Sequence, residues 1–265
     1  MRMCSIASGS SGNCIYIGDE QTHILVDAGI SCKRIEEGLR QLGLSGKDLS
    51  GIFVTHEHSD HIKGLAVVSK RYHIPLYMTG GTADAIVRSK ALGRDDEELI
   101  REIREDEPFM TGSLEVSAFS IPHDAAQPVA YRFESQGKSA AVATDMGKYT
   151  EYILDHLKGL DSILLESNHD LNMLQVGRYP YRLKLRIMGD RGHLSNESAG
   201  QLLCKVAHDG LKHVLLGHLS QDNNYEELAL ETVRNEITFG DNPYQASDFD
   251  IQVAGRSQMS QVLSF

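Results

Sequence analysis

The sequence has 265 residues and a formal net charge of −11, and its 41% hydrophobic and 24% charged residues are ordinary for a soluble globular protein. This acidic charge argues against general coating of nucleic acid but does not exclude a local binding site. No apolar run reaches the roughly 18–20 residues of a membrane helix. Residues 1–13 lack the apolar core of a secretory signal, and the four cysteines fit neither a disulfide framework nor a structural zinc site. We therefore predict a cytoplasmic protein with no membrane partner.

The chain alternates between strand and helix patterns. Short β-branched runs predict buried strands at 14–18, 23–29, 51–56, 75–79, 114–123, 139–145, 161–167 and 213–218. Helical patterns lie at 33–43, 60–71, 81–92, 148–158, 196–209 and 224–236. The charged segment 93–108 predicts a solvated helix and connector, and FDIQVA (249–254) could be an edge strand. Because no flexible linker interrupts this order, we predict one α/β domain over residues 1–265.

Several predicted strands end in a side chain that binds metals well. Apolar runs lead into Asp27, His56, His123, Asp145 and His218. Ligands of open α/β sheets collect beyond the strand ends. These five side chains could therefore converge at one edge.

The segment THEHSDH (55–61) concentrates three of the 12 histidines. His56 and His58 point the same way if the segment is extended, so they can share one ion. Asp60 and His61 start the next helix and diverge from that pair, which favours a second ion. Two-metal sites hold ions about 3.5–4 Å apart and stabilise in-line displacement at phosphorus or an acyl carbon. The remaining members of this arrangement are His123 for the first ion, Asp145 as a bridge and His218 for the second.

The donor types limit the metal without fixing it. Mixed imidazole and carboxylate ligands suit zinc or manganese, with iron also possible. The plain alternative is a set of surface histidines at a helix start with Asp60 as its cap. That alternative leaves the downstream order His123, Asp145 and His218 unexplained.

THEHSDH with those later ligands resembles the metallo-β-lactamase superfamily from about residue 5 to about residue 225. The resemblance implies a four-layer αββα sandwich of two similar halves, with the metal site at one edge of the sheets. Asp27 matches the motif in which an aspartate orients a metal ligand. The implied ligand sets are His56, His58 and His123 for one metal, Asp60, His61 and His218 for the other, and Asp145 between them.

Later motifs narrow the resemblance to nucleases. Asp145 stands where antibiotic-hydrolysing members often have cysteine, which favours phosphodiester or thioester hydrolysis. LLGHLSQDN (215–223) and GHLSNESAGQLL (192–203) resemble segments of the tRNA-processing RNase Z enzymes, with His193 as a second catalytic histidine. With SIASGSSGNCIYIG (5–18), the sequence is more similar to the YycJ/WalJ exonuclease group. The interval from Asp145 to His218 is too short for the domain inserted in β-CASP nucleases.

The resemblance implies a dinuclear metal-dependent phosphodiesterase that acts as a 5′→3′ DNA exonuclease. A metal-bridging hydroxide would attack phosphorus, held by Asp60 and Asp145, and His193 would assist the leaving oxygen. The alternatives are a glyoxalase-II-like thioesterase, a ribonuclease of the RNase Z type, or a non-catalytic metal-binding scaffold. His193 could instead be a structural histidine at a helix N-terminus.

Three further segments are candidates for contact with substrate or ligands. Residues 178–191 carry five basic side chains against Asp190, and Tyr179 and Tyr181 could stack on bases. The alternative is an exposed face whose charges balance nearby acids. SGSSGN (8–13) could hold a phosphate or simply form a turn, and Glu166, Asn168 and His169 could support the ligands. The candidate substrate contacts are Ser10, Ser11, Asn13, Arg178, Arg182, Lys184 and Arg186.

Overall fold

The computed structural model describes residues 1–265, except the side chains of residues 94 and 95. Its strands form two seven-stranded sheets. The first sheet runs, in spatial order, β14 (Leu263–Ser264), β1 (Arg2–Ala7), β2 (Cys14–Gly18), β3 (His23–Val26), β4 (Leu49–Phe53), β5 (Leu76–Thr79) and β6 (Ile100–Ile103). The second runs β13 (Asp250–Val253), β12 (His213–Gly217), β11 (Ser162–Glu166), β10 (Lys138–Ala143), β9 (Val129–Ser135), β8 (Leu114–Ser120) and β7 (Phe109–Thr111).

Helices connect the parallel strands and cover the outer faces. On the first sheet these are α1 (Cys32–Gln41), α3 (Leu65–Tyr72) and α4 (Gly80–Ser89), with the short α2 (Ser59–Ile62) after β4. On the second they are α5 (Glu151–Leu157), α8 (Asn196–Val206) and α9 (Glu226–Phe239). Between β11 and α8 lie α6 (Leu171–Val176) and α7 (Tyr181–Met188), and 3₁₀ helices occupy Gly46–Asp48, Arg94–Leu99 and Ala246–Asp248.

Three apolar clusters define the layers of the fold. Alternate side chains of a strand point to opposite faces, so Leu25 packs towards α1 whereas Ile24 and Val26 face the other sheet. In the second sheet Leu164 faces the first sheet and Leu165 packs in the outer cluster under the helices. The order is helix, sheet, sheet, helix, which confirms the predicted αββα sandwich.

The predicted strands all form, although several end earlier than predicted. The strand predicted at 23–29 ends at Val26, and the one predicted at 51–56 ends at Phe53. The predicted edge strand within 249–254 is β13, at the border of the second sheet. Strands β1, β6, β7, β9 and β14 were missed.

Two helix predictions were wrong in part. The helix predicted at 60–71 divides into α2 and α3, because the chain at Gly64 passes against Ile30 so closely that a Cβ would lie 2.0 Å from the Ile30 carbonyl oxygen. The charged segment 93–108 contains a 3₁₀ helix and the edge strand β6, where a helix and connector were expected. Within the described residues, no helix is both long and apolar enough to cross a membrane.

Candidate metal centre

The seven predicted ligands meet at one edge of the two sheets. Their donor atoms form overlapping groups whose members all lie within 4.8 Å of one another. These groups are His56, His58 and His123; Asp60, His61 and His218; and His56, His61 and Asp145. The convergence of strand ends expected from the sequence is therefore present in the fold.

Asp145 lies between the group of His56, His58 and His123 and the group of Asp60, His61 and His218, because it forms a group of its own with His56 and His61. Its Oδ2 is 3.3 Å from Nε2 of His61, and its Oδ1 is 3.5 Å from Nε2 of His218. Asp60 Oδ2 lies 3.5 Å from the same nitrogen of His218. This arrangement fits the bridging position proposed for Asp145, with Asp60 beside the second group.

Three strand-end residues of the centre have left-handed backbone conformations. Asp27 follows β3 with φ 61°, Asp145 follows β10 with φ 62°, and His218 follows β12 with φ 55°. Non-glycine residues in this region cost of order 1 kcal/mol or more and concentrate at functional sites. The sharp turn aims each side chain across the sheet edge, away from the strand direction.

Hydrogen bonds fix the imidazoles so that one nitrogen of each faces the centre. His61 Nδ1 donates to Asp27 Oδ2 at 2.7 Å, and His56 Nδ1 lies 3.0 Å from the Thr55 hydroxyl. His123 Nδ1 is 3.2 Å from the carbonyl oxygen of Gly192. With Nδ1 occupied, Nε2 is the nitrogen that faces the centre in each case, and Nε2 of His61 also lies 3.1 Å from Nδ2 of Asn13.

Thr55 links Asp27 to two of these histidines. Its backbone N–H donates to Asp27 Oδ1 and its hydroxyl to Asp27 Oδ2, both at 2.9 Å. The same hydroxyl is near His56 and His61. Asp27 thus has the ligand-orienting contacts expected of it, whereas Thr55 was missed although it begins the THEHSDH segment.

Glu166, at the end of β11, lies beneath His193 and His218. Its Oε1 accepts from Nδ1 of His193 at 2.7 Å and from Nδ1 of His218 at 3.1 Å. Asn168 donates to the carbonyl oxygen of His218 at 2.8 Å. Both residues thus hold His218, whereas the side chain of His169 forms no hydrogen bond and no ion pair with a proposed ligand among the described residues.

Burial and neighbouring charged groups both shift the pKa values of the centre. Burial alone would lower the pKa of His61, but Asp27 and Asp145 raise this pKa to about 9. Burial would raise the pKa of Asp60, yet its contact with His218 lowers this pKa below the usual range. Burial, together with the neighbouring imidazoles, lowers the pKa of His56 far below its ordinary value.

Two buried polar atoms of the centre have no hydrogen-bond partner among the described residues. They are Nε2 of His56 and Oδ2 of Asp145. Buried polar groups are nearly always paired, and these two belong to one group of potential ligands. The unpaired atoms, the oriented imidazoles and the carboxylates together fit two divalent cations.

A cavity of about 240 Å³ opens above the centre. Ser10, His193, Arg186, Tyr179 and Ser220 are among its lining residues. Of the predicted substrate contacts, Ser10 and Arg186 line this cavity, while Ser11 is exposed outside it. Arg186 Nη2 also donates to Asp124 Oδ1 at 3.1 Å, and the other three basic candidates, Arg178, Arg182 and Lys184, lie outside the cavity.

The SGSSGN loop supports the backbone of two ligands. Asn13 is buried, its N–H donates to the carbonyl oxygen of Asp60 at 2.8 Å, and its Oδ1 accepts from Gly9. The Ser8 hydroxyl accepts from the N–H of His218 at 2.8 Å. Asn13 therefore stabilises the site from within the loop, and only Ser10 of the predicted loop residues reaches the cavity.

Known proteins resemble this chain in sequence and in fold. Residues 22–219 match a family model described as a beta-lactamase superfamily domain. The chain is 42% identical to exodeoxyribonuclease YycJ of Bacillus anthracis over 228 residues, 86% of each chain. It is 39% identical to exodeoxyribonuclease WalJ of Streptococcus pneumoniae over 238 residues, 89% of this chain and 88% of that protein. Zinc-bound PqqB from Methylobacterium extorquens aligns over 100% of both chains, with a TM-score of 0.71 and 16% identity.

These similarities, which span most of the chain, define its class. The chain belongs to the metallo-β-lactamase superfamily and is a metal-dependent hydrolase. The likeness to PqqB, at 16% identity, shows the fold alone.

Proposed function

We propose that this protein is a nuclease that hydrolyses phosphodiester bonds of DNA, as a 5′→3′ exonuclease. The single observation that carries the proposal is that carboxylates of the metal centre and an imidazole suited to proton donation line one cavity. Asp60 and Asp145 lie at the metal centre, and His193 lines the same cavity. The exodeoxyribonuclease names of the two relatives favour DNA as the substrate and exonuclease action.

The residues that would hold the cations are those of the two groups, with Asp145 shared. When bound, two divalent cations would supply an acidified water as nucleophile and offset the negative charge of the transition state. Contact with His218 holds the pKa of Asp60 low, which favours its carboxylate, and this carboxylate would orient that water as a hydrogen-bond acceptor.

His193 would act on the leaving side. Glu166 raises the pKa of His193 against the effect of burial, which favours the protonated imidazole. With Nδ1 donating to Glu166, Nε2 would donate a proton to the departing 3′ oxygen. Ser10 and Arg186, both on the cavity wall, would contact phosphate oxygens on either side of the scissile bond.

The test is degradation of an end-labelled DNA duplex with manganese or zinc supplied. We expect the wild type to release mononucleotides from the 5′ end and Asp60→Ala to release none. Labelling each end in turn determines direction, and an RNA of the same sequence tests the RNase Z alternative. If the wild type binds two metals yet degrades neither polymer, the nuclease proposal is wrong, and turnover of a glutathione thioester would then favour the thioesterase alternative.

A further inference from the structure

Helix α7 presents an apolar stripe to solvent. Tyr181, Lys184, Leu185 and Met188, at helical positions i, i+3, i+4 and i+7, line a groove together with Leu171 and Gln175 of α6. Such a stripe normally faces a protein core. Here Tyr181 is 72% exposed, Leu185 49% and Met188 44%. The opposite side of α7 does pack inward, because Leu183 and Ile187 line the metal cavity.

The groove and the metal cavity share one lining residue, Tyr179. This side chain lines both, and its hydroxyl donates to Asp222 Oδ2 at 2.9 Å, which holds the ring between them. The groove has a volume of about 630 Å³. Tyr179 therefore marks where a strand with one phosphate at the metal centre would pass to reach the groove.

Lys184 lines the apolar surface, and the exposed Arg178 and Arg182 are next to its lining residues along the chain. Among the described residues, Arg178 and Arg182 form no ion pair and no side-chain hydrogen bond, although the chain has a net charge of −11. Lys184 lies along the groove, and its Nζ donates to the carbonyl oxygen of Gln175 at 2.7 Å. An aromatic and apolar surface beside free cations suits nucleobases that stack while their phosphates meet the charges.

We propose that this groove, formed by α6 and α7, binds unpaired nucleobases of the substrate strand next to the scissile phosphate. The proposal rests on the proposed nuclease function and adds that the substrate strand is single-stranded at the site. A base in the groove cannot be paired, so the strand enters the site single-stranded and a duplex end must open first. The basic side chains on and beside the groove, and the Tyr179 wall that it shares with the metal cavity, favour nucleic acid over a second copy of the chain as its occupant.

The experiment compares KM and kcat of the manganese-loaded enzyme on a single-stranded oligodeoxynucleotide and on bis(p-nitrophenyl) phosphate. We expect Tyr181→Ala to raise KM for the oligonucleotide by about 5- to 150-fold, the range of one lost stacking contact. Tyr181→Phe keeps the ring and should restore the wild-type KM. Phe239→Ala is the matched control, because Phe239 is 82% exposed on α9 and lies outside the groove. Hydrolysis of the small ester should be unchanged in all three variants.

Abasic sites distinguish stacking from charge. Removing single bases near the cleaved end should raise KM of the wild type at one or two positions and leave Tyr181→Ala unaffected there. Equal effects in both proteins, or a wild-type KM in Tyr181→Ala, would overturn the groove proposal while DNA cleavage stands. Self-association that sedimentation detects in the wild type but not in Tyr181→Ala would assign the groove to a second copy. If the wild type cleaves the small ester and no polynucleotide, both the nuclease proposal and the groove proposal are wrong.

Discussion

Glu166 accepts a hydrogen bond from Nδ1 of His193 at 2.7 Å, and this contact joins a fully buried carboxylate to an imidazole on the cavity wall. Glu166 cannot easily turn away, since its Oε2 accepts from the backbone N–H groups of Met146 and Leu194 at 2.9 and 3.2 Å. Two backbone N–H groups therefore hold Glu166 in place, and Glu166 in turn orients the His193 ring. A proton donor held in this way meets the leaving group without reorganisation.

Replacing this carboxylate should change the pH dependence of turnover. Burial lowers the pKa of His193, but Glu166 raises it above the ordinary value, so loss of the charge in Glu166→Gln lowers this pKa. A proton donor is active below its pKa and inactive above it, so kcat of the wild type should fall as pH rises through the raised pKa. In Glu166→Gln that fall should occur at lower pH, measured as kcat against pH on DNA. An unshifted profile would contradict the role of Glu166.

His193→Ala tests whether this histidine is a proton donor or a metal ligand. We expect kcat to fall by about 10²- to 10⁴-fold, the usual contribution of general acid catalysis. Two metals per chain should remain, because the seven proposed ligands are intact. Since His193 also lies within 4.8 Å of Asp145, Glu166 and His218, a loss of one metal on elemental analysis would instead make it a ligand.

Asp27→Asn should weaken metal binding while the fold is retained. Asparagine tolerates the left-handed backbone that Asp27 adopts at φ 61°, so no new strain is introduced. The amide loses the charge that orients His61, and such supporting contacts are worth about 10- to 100-fold in metal affinity. Competition with a zinc-chelating dye measures this metal affinity. Unchanged affinity with unchanged thermal unfolding would show that Thr55 suffices to hold His61.

The members of the candidate metal centre could be predicted because their chemistry is concentrated in sequence. THEHSDH places three histidines and an aspartate after an apolar strand, and no ordinary core requires that composition. Supporting contacts such as Ser8 to His218 join positions far apart in the chain, and a hydroxyl gives no sign of its partner. They depend on the fold and could not be read from one sequence.

The errors in secondary structure have two different causes. The break at Gly64 arises from tertiary contact with Ile30, which local periodicity does not contain. Strand β9 does carry an alternating pattern, with Tyr131 and Phe133 facing the other sheet and Arg132 between them, and this signal was overlooked. Because the two sheets share one apolar cluster, we propose that residues 1–265 unfold as one domain. The cytoplasmic location stays a prediction.

Asp19 should contribute stability that depends on pH, far from the metal centre. This buried carboxylate, after β2, joins the two sheets: its Oδ1 accepts from the backbone of Gln21 and Thr22, and its Oδ2 from the hydroxyls of Ser113 and Ser135. Burial would raise the pKa of Asp19, but these hydrogen bonds lower it to about 2. The ionised form is thus favoured by folding.

The sign of the effect follows from that depressed pKa. The unfolded carboxyl has a pKa of about 3.9, so the stabilisation is complete above that pH and is lost as pH falls towards the folded value of about 2. Asp19→Asn should lower the free energy of unfolding by about 1–3 kcal/mol at neutral pH, the cost of buried hydrogen bonds left unmade. Urea unfolding in chelator should show the difference between wild type and variant shrinking in acid. The exposed neighbour gives the control, since Glu20→Gln should unfold like the wild type at every pH. A difference that persists undiminished in acid would mean that Asp19 stabilises the fold by shape and not by charge.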